Sequence, residues 1–256
     1  WSLVTLTISR QAINSGLLWL WNNWRPLLVF SRESFKELFG FGNKLLASGL
    51  IDTLYNNIYY LVIGKYFSAV DLGYYSRANT FSRFPSHNLN DIVARVSYPI
   101  LSQMQDNPSH LKEGYRRIIK SLMLITFTLM LGLAAVAEPM VITFIGEKWR
   151  PSIIYLQLLC FAGMLFPLHA INLNMLKVKG RSDLFLRLEI IKKLLAVPVI
   201  IVAVFFGIKV MILGIILNSF MSYYLNSYYS GKLIGYGISQ QVLDILPSFG
   251  VAAGMA

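Results

Sequence analysis

The chain has 256 residues, 55% of them hydrophobic and only 14% charged, with a mean hydropathy of +0.56. Ordinary soluble domains carry about a quarter charged residues, so polar groups here are too few to cover a water-facing surface, and a soluble enzyme is excluded. Lys and Arg number 23 against 12 Asp and Glu, a net charge of +11; in so apolar a chain that excess points to membrane sidedness, not to a nucleic-acid partner.

A membrane-crossing helix needs roughly 20 mostly apolar residues. In chain order, candidate spans cover residues 3–21, 45–63, 122–144, 153–176, 194–206 with the turns before them, and 210–229. A weaker one at 73–101 is interrupted by Arg77, Arg83, Asp91 and Arg95. A last one begins near Val242. The expectation is an all-α, polytopic membrane helical bundle of about seven spans plus a truncated eighth. Trp1 opens inside one apolar run and Ala256 closes inside another, which reads as a piece of a longer protein. The single cysteine, Cys160, excludes a disulfide framework and a cysteine-based metal site.

The basic residues test the span count. Connections after the first, third, fifth and seventh spans hold fifteen of them, including Arg25, Lys112, Arg181 and Lys232, whereas the alternate connections hold six. The positive-inside rule puts the richer connections in the cytoplasm. Without the weak span, the cluster Lys112, Arg116, Arg117 and Lys120 would fall outside. Boundary residues agree: Trp24-Arg25-Pro26 closes the first span with an interfacial aromatic and a helix-stopping proline. Gly180-Arg181-Ser182-Asp183 ends the fifth, and Gly146-Glu147-Lys148-Trp149 is a short outer turn.

Ionisable side chains in hydrocarbon cost about 2.5–3.5 kcal/mol on insertion scales, so they should face a bundle interior or a water-filled cavity. In the second span Ser48, Asp52, Tyr55, Asn56 and Tyr59 share one helical face. In the weak span Arg77, Asn88, Asp91 and Arg95 fall on one line, with Phe84 on that face and Arg83 off it. Asp91 and Arg95 stand one turn apart and can pair, either lining a cavity or fixing helix packing. Arg77 lies near the helix start and can equally snorkel to the interface. Arg10 sits deep in the first span, and Asp52 has no partner in its own. The candidate cavity-lining set is therefore Arg77, Asn88, Asp91, Arg95, Asp52, Asn56 and Arg10. Glu189 with Lys192 and Lys193 reads as an ion pair at the cytoplasmic mouth. His87, His110 and His169 share no metal-ligand spacing, and the Tyr223–Tyr229 stretch reads as interfacial belt or lumen lining. There is no phosphate-binding Gly-rich loop, nucleophile elbow or metal-binding Asp pair, so neither catalysis nor a cofactor is expected.

Five stretches in order resemble the signatures of Wzx-type polysaccharide flippases, of the multidrug/oligosaccharidyl-lipid/polysaccharide exporter superfamily. They are Ile63-Gly64-Lys65-Tyr66-Phe67 with Asp71-Leu72-Gly73-Tyr74-Tyr75-Ser76-Arg77-Ala78, then Val96-Ser97-Tyr98-Pro99-Ile100-Leu101-Ser102, the Gly146–Trp149 turn, the Gly180–Asp183 element and Trp24-Arg25-Pro26. The chain looks closest to WzxC-like exporters. The resemblance implies two six-helix lobes facing a central cavity. Residues 1–21 would be the last helix of the first lobe, 22–43 a cytoplasmic interlobe linker, and 44–230 the second lobe. Residues 231–256 would be a cytoplasmic loop and the start of an extra helix. It also implies alternating access in the bacterial cytoplasmic membrane, with an undecaprenyl-diphosphate-linked oligosaccharide as cargo, membrane lipid around it and a polysaccharide polymerase as a working partner. Arg77 and Arg95 would then compensate anionic groups of the cargo. Rival readings are a peptidoglycan-precursor flippase or drug/cation antiporter of the same superfamily, a polytopic glycan polymerase or ligase, and a nonspecific anion channel.

Overall fold

The computed structural model describes residues 2–22 and 31–255. Ten α-helices account for nearly all of them: α1 (Ser2–Trp21), α2 (Arg32–Tyr66), α3 (Ala69–Gln103), α4 (Pro108–Ala135), α5 (Ala137–Ile145), α6 (Ser152–Gly163), α7 (Phe166–Val178), α8 (Ser182–Phe206), α9 (Ile208–Ile234) and α10 (Ile238–Met255). No strand occurs among the described residues. The Trp24-Arg25-Pro26 stop lies outside them. Two compact units divide the chain, residues 1–40 and 41–256. In the first, α1 exposes its side chains from Val4 to Trp21, Arg10 among them.

Local chemistry sets the helix ends of the second unit. Ser68 caps α3: its Oγ accepts from the Asp71 amide at 3.0 Å, while Asp71 accepts from the Ser68 amide, a reciprocal capping box. Asn107 does the same for α4, accepting from the His110 amide at 3.2 Å, with Pro108 in the first turn where no amide is needed. Prolines also mark two interruptions. The expected span 122–144 is two helices, because Pro139 has no amide to offer the carbonyl of Ala135 and the chain breaks at Val136. Pro167 likewise cannot reach Gly163, so α6 and α7 are separated by a turn at Met164-Leu165.

Among the described residues three segments are long and apolar enough to cross a membrane: Pro108–Ala135, Ser152–Val178 across the α6–α7 turn, and Ile208–Ile234. Length and hydropathy alone do not reach the expected seven plus an eighth. The apolar half of α8 is short, α3 carries charge throughout, and α1 is interrupted by Arg10, Gln11 and Asn14. The last connection also differs from expectation. Helix α9 continues to Ile234, and only Gly235-Tyr236-Gly237 separates it from α10. That turn works because Gly235 adopts the left-handed conformation (φ +64°) and Gly231 lets it fold back: a Cβ on Gly231 would stand 2.9 Å from the Tyr236 carbonyl oxygen.

The core follows a 3–4 spacing along α4: Leu111, Tyr115, Ile119, Leu122, Met123, Phe127 and Met130 are buried. They cluster with Ile153, Leu156, Cys160, Leu168, Ile171 and Met175 from α6 and α7. Helix α10 packs most extensively on α4, α8 on α9, and α3 on α6 and α7. The last two pairings leave space between α3, α7, α8 and α9.

Candidate functional site: a cationic cavity

That space is a cavity of about 540 Å³. Among the described residues four cations line it, Arg83 from α3, Lys177 from α7, and Lys192 and Lys193 from α8, against a single carboxylate, Glu189. Ser86, His87 and Asn90 of α3, His169 and Asn174 of α7, and Asn218, Ser219 and Ser222 of α9 add neutral donors and acceptors. Phe166, Phe185 and Leu173 add apolar wall, and Gly49 brings α2 to its edge.

Helical spacing builds each wall. Arg83, Ser86, His87 and Asn90 advance by three or four residues, as do Glu189, Lys192 and Lys193, so each group shares a face. Glu189 and Lys192 are only 5% and 7% exposed. Glu189 Oε1 accepts from Lys192 Nζ, and its Oε2 lies 3.5 Å from Lys193 Nζ. Lys193 also sits 4.2 Å over the Tyr55 ring. The Tyr55 hydroxyl pairs with that of Tyr59 at 2.7 Å and accepts from Asn218 Nδ2 at 3.1 Å. On the α7 side Lys177 lies 4.8 Å over Phe185, Asn174 donates to Ser97 at 3.2 Å, and His169 Nε2 is 3.1 Å from Ser219 Oγ. His169 Nδ1 and Asn218 Oδ1 are buried without hydrogen-bond partners. Such a wall can hold an anion and offer hydrogen bonds to hydroxyl groups around it. Among the described residues, no cluster of His, Cys, Asp and Glu could hold a metal ion.

The residues singled out from the sequence lie elsewhere. Arg77, Asn88, Asp91 and Arg95 are exposed and occupy the α3 face roughly a third of a turn from the cavity wall. Arg77 stacks over Trp149 at 5.4 Å, with Tyr74 edge-on to the same ring. Asp91 and Arg95 form no ion pair, so the expected pairing along α3 is absent. Asp52 and Asn56 belong to α2, but their side chains lie outside the described residues. Arg10 is exposed on α1. The expected residues and the cavity wall thus share α3 but lie on different faces of it. The ion pairing expected of Glu189 with Lys192 and Lys193 is present, with Glu189 and Lys192 buried and Lys193 half-buried in the cavity wall. The signal for them was present: three charges within five residues, running into an apolar helix.

A second polar assembly joins α4, α7, α9 and α10. The Asn172 Oδ1, fully buried, accepts from Tyr115 OH at 2.7 Å and from Ser230 Oγ, with Gln241 Nε2 at 3.5 Å. Gln241 donates onward to the Tyr236 carbonyl, and Tyr236 OH donates to Asp244 at 2.8 Å. Asp244 also receives a two-point contact from Arg116, at 2.5 and 2.7 Å, and Lys120 at 3.2 Å.

Comparison with known proteins places the chain. Residues 1–154 match the model of a family described as polysaccharide biosynthesis protein. The teichuronic acid biosynthesis protein TuaB of Bacillus subtilis is 35% identical over 63% of this chain and 33% of its own length. The lipopolysaccharide biosynthesis protein WzxC of Escherichia coli is 30% identical over 79% of this chain and 42% of its own. The succinoglycan biosynthesis transport protein ExoT of Rhizobium meliloti is 25% identical over 65% and 34%. The chain thus spans a third to two-fifths of the length of these relatives. No solved structure matches it.

Proposed function

The chain belongs to the polysaccharide biosynthesis protein family, and from that premise we propose that it forms part of a flippase. The cargo is an undecaprenyl-diphosphate-linked oligosaccharide repeat unit, carried across the bacterial cytoplasmic membrane for O-antigen, capsule or exopolysaccharide synthesis. The protein acts as a multi-pass transporter by alternating access, not as an enzyme, and a polysaccharide polymerase uses its product. Residues 44–230 serve as the second lobe, with residues 1–21 closing the first.

One observation carries this reading: an apolar helical unit keeps a cavity with four cations and one carboxylate between α3, α7, α8 and α9. In hydrocarbon that arrangement is costly and is retained where an anionic or hydroxyl-rich molecule passes. Arg83, Lys177, Lys192 and Lys193 supply charge to a diphosphate or acidic sugar, and the Ser, Asn and His side chains hydrogen-bond sugar hydroxyls. The exposed α3 face of Arg77, Asn88, Asp91 and Arg95 serves as a second polar surface that looks onto water in the complete transporter, and Asp52, Asn56 and Arg10 keep the cavity-lining role expected of them from the sequence. The names of ExoT, a transport protein, and WzxC favour this reading over a polymerase or ligase.

Complementation of a flippase-deletion strain tests it. Full-length protein carrying Arg83→Gln with Lys192→Gln should reach normal membrane levels and restore little surface polysaccharide. Full restoration by that double variant would remove the cavity from the transport path.

A further inference from the structure

Cations alone would serve an anionic cargo, yet Glu189 stands among them on the cavity wall. Among the described residues this is the one carboxylate on the cavity wall, and burying it in an apolar unit is costly. It does not merely neutralise one neighbour, because its two oxygens engage two different ammonium groups, Lys192 and Lys193. Lys193 in turn contacts the Tyr55 ring of α2, and Tyr55 accepts from Asn218 of α9. Glu189 is thereby linked through Lys193 and Tyr55 to α2 and α9.

We infer that Glu189 is the resident counter-ion of the cavity: it holds Lys192 and Lys193 while no cargo is bound, and an arriving oxyanion takes over both ammonium groups. The inference rests on the cavity receiving an anionic group of the cargo. Physically, four cations around one low-dielectric volume repel one another, and a built-in carboxylate relieves that repulsion. Binding then becomes an exchange of one anion for another. The exchange holds affinity down, and a transport site must release what it binds. It also changes the surroundings of Lys193, and with them its contact to Tyr55.

The test uses full-length protein in detergent, titrated with inorganic pyrophosphate by calorimetry, beside polysaccharide export in the deletion strain. Glu189→Gln should bind pyrophosphate about tenfold more tightly while exporting more slowly. Glu189→Asp, one methylene shorter and unable to span both lysines, should fall between, and it carries the test should the Gln variant fail to fold. A purely structural Glu189 gives the opposite sign: weaker binding with a lower melting temperature. Binding equal to or weaker than wild type in both variants overturns the inference. Arg83→Gln separates the two levels. If it weakens pyrophosphate binding while the Glu189 variants do not tighten it, only the counter-ion role falls. If no substitution alters binding, the anion-receiving cavity falls as well. Competition by phosphatidylglycerol at matched concentration would assign the cavity to a phospholipid headgroup and overturn the cargo reading.

Discussion

The unit formed by residues 41–256 contains two polar assemblies of opposite character. Between α4 and α10, Asp244 collects Arg116, Lys120 and the Tyr236 hydroxyl, while Asn172 gathers Tyr115, Ser230 and Gln241. Each of these groups is answered by another group of the same chain. Between α3, α7, α8 and α9 the cations outnumber the carboxylate and stand around an open volume. The contrast separates scaffold from site on physical grounds. A polar group buried for stability must be satisfied by the protein, whereas one kept for a ligand leaves part of its bonding capacity to that ligand.

The comparison can be broken from either side. The largest effect belongs to the cavity: Lys192→Gln with Arg83→Gln should reduce export at least tenfold in complementation, with the detergent melting temperature nearly unchanged. If export and stability fall in parallel, the two assemblies are of one kind. On the scaffold side, Asp244→Asn removes the shared acceptor of two cations and should destabilise the protein by about 1–3 kcal/mol. Export per folded molecule should stay near normal, measured by quantifying protein beside surface polysaccharide. Next comes Gly231→Ala, which forces a Cβ against the Tyr236 carbonyl and should cost about 1–3 kcal/mol through strain in the α9–α10 turn. Protease susceptibility near residue 235 reports it. Smallest is the exposed face of α3: Arg95→Ala and Asp91→Asn should lower export a few-fold with no change in melting. Unchanged export at normal membrane levels would leave that face without a transport role.

Much of the fold was legible before any coordinates. The helix end at Gly180 was read from its turn residues, and the polar character of residues 73–101 is plain in the sequence; the caps at Ser68 and Asn107 obey the same local chemistry but went unread. Two breaks were not foreseen, although Pro139 and Pro167 stood in view, because continuous apolar character outweighed the missing amides. The cavity was legible only in part. Choosing a face of α3 requires knowing where α7, α8 and α9 lie, and charge density along one helix points to Arg77, Asn88, Asp91 and Arg95 instead. The Asn172 assembly was invisible for a related reason. Its members, Tyr115, Asn172, Ser230 and Gln241, are each unremarked polar residues in apolar runs, and only tertiary packing brings them together.

The burial of Cys160 has a practical consequence for such tests. It is the one cysteine in this chain, and its side chain is wholly shielded inside the α6 packing. A water-borne maleimide or methanethiosulfonate reagent therefore meets no native thiol here. Single cysteines introduced at Asn90, Leu173 or Ser222 would report labelling of the cavity with no background from Cys160, and those at Asn88 or Arg95 would report the neighbouring face of α3. Labelling rates with and without pyrophosphate would map solvent entry directly onto the helix surfaces, with the native residue left in place.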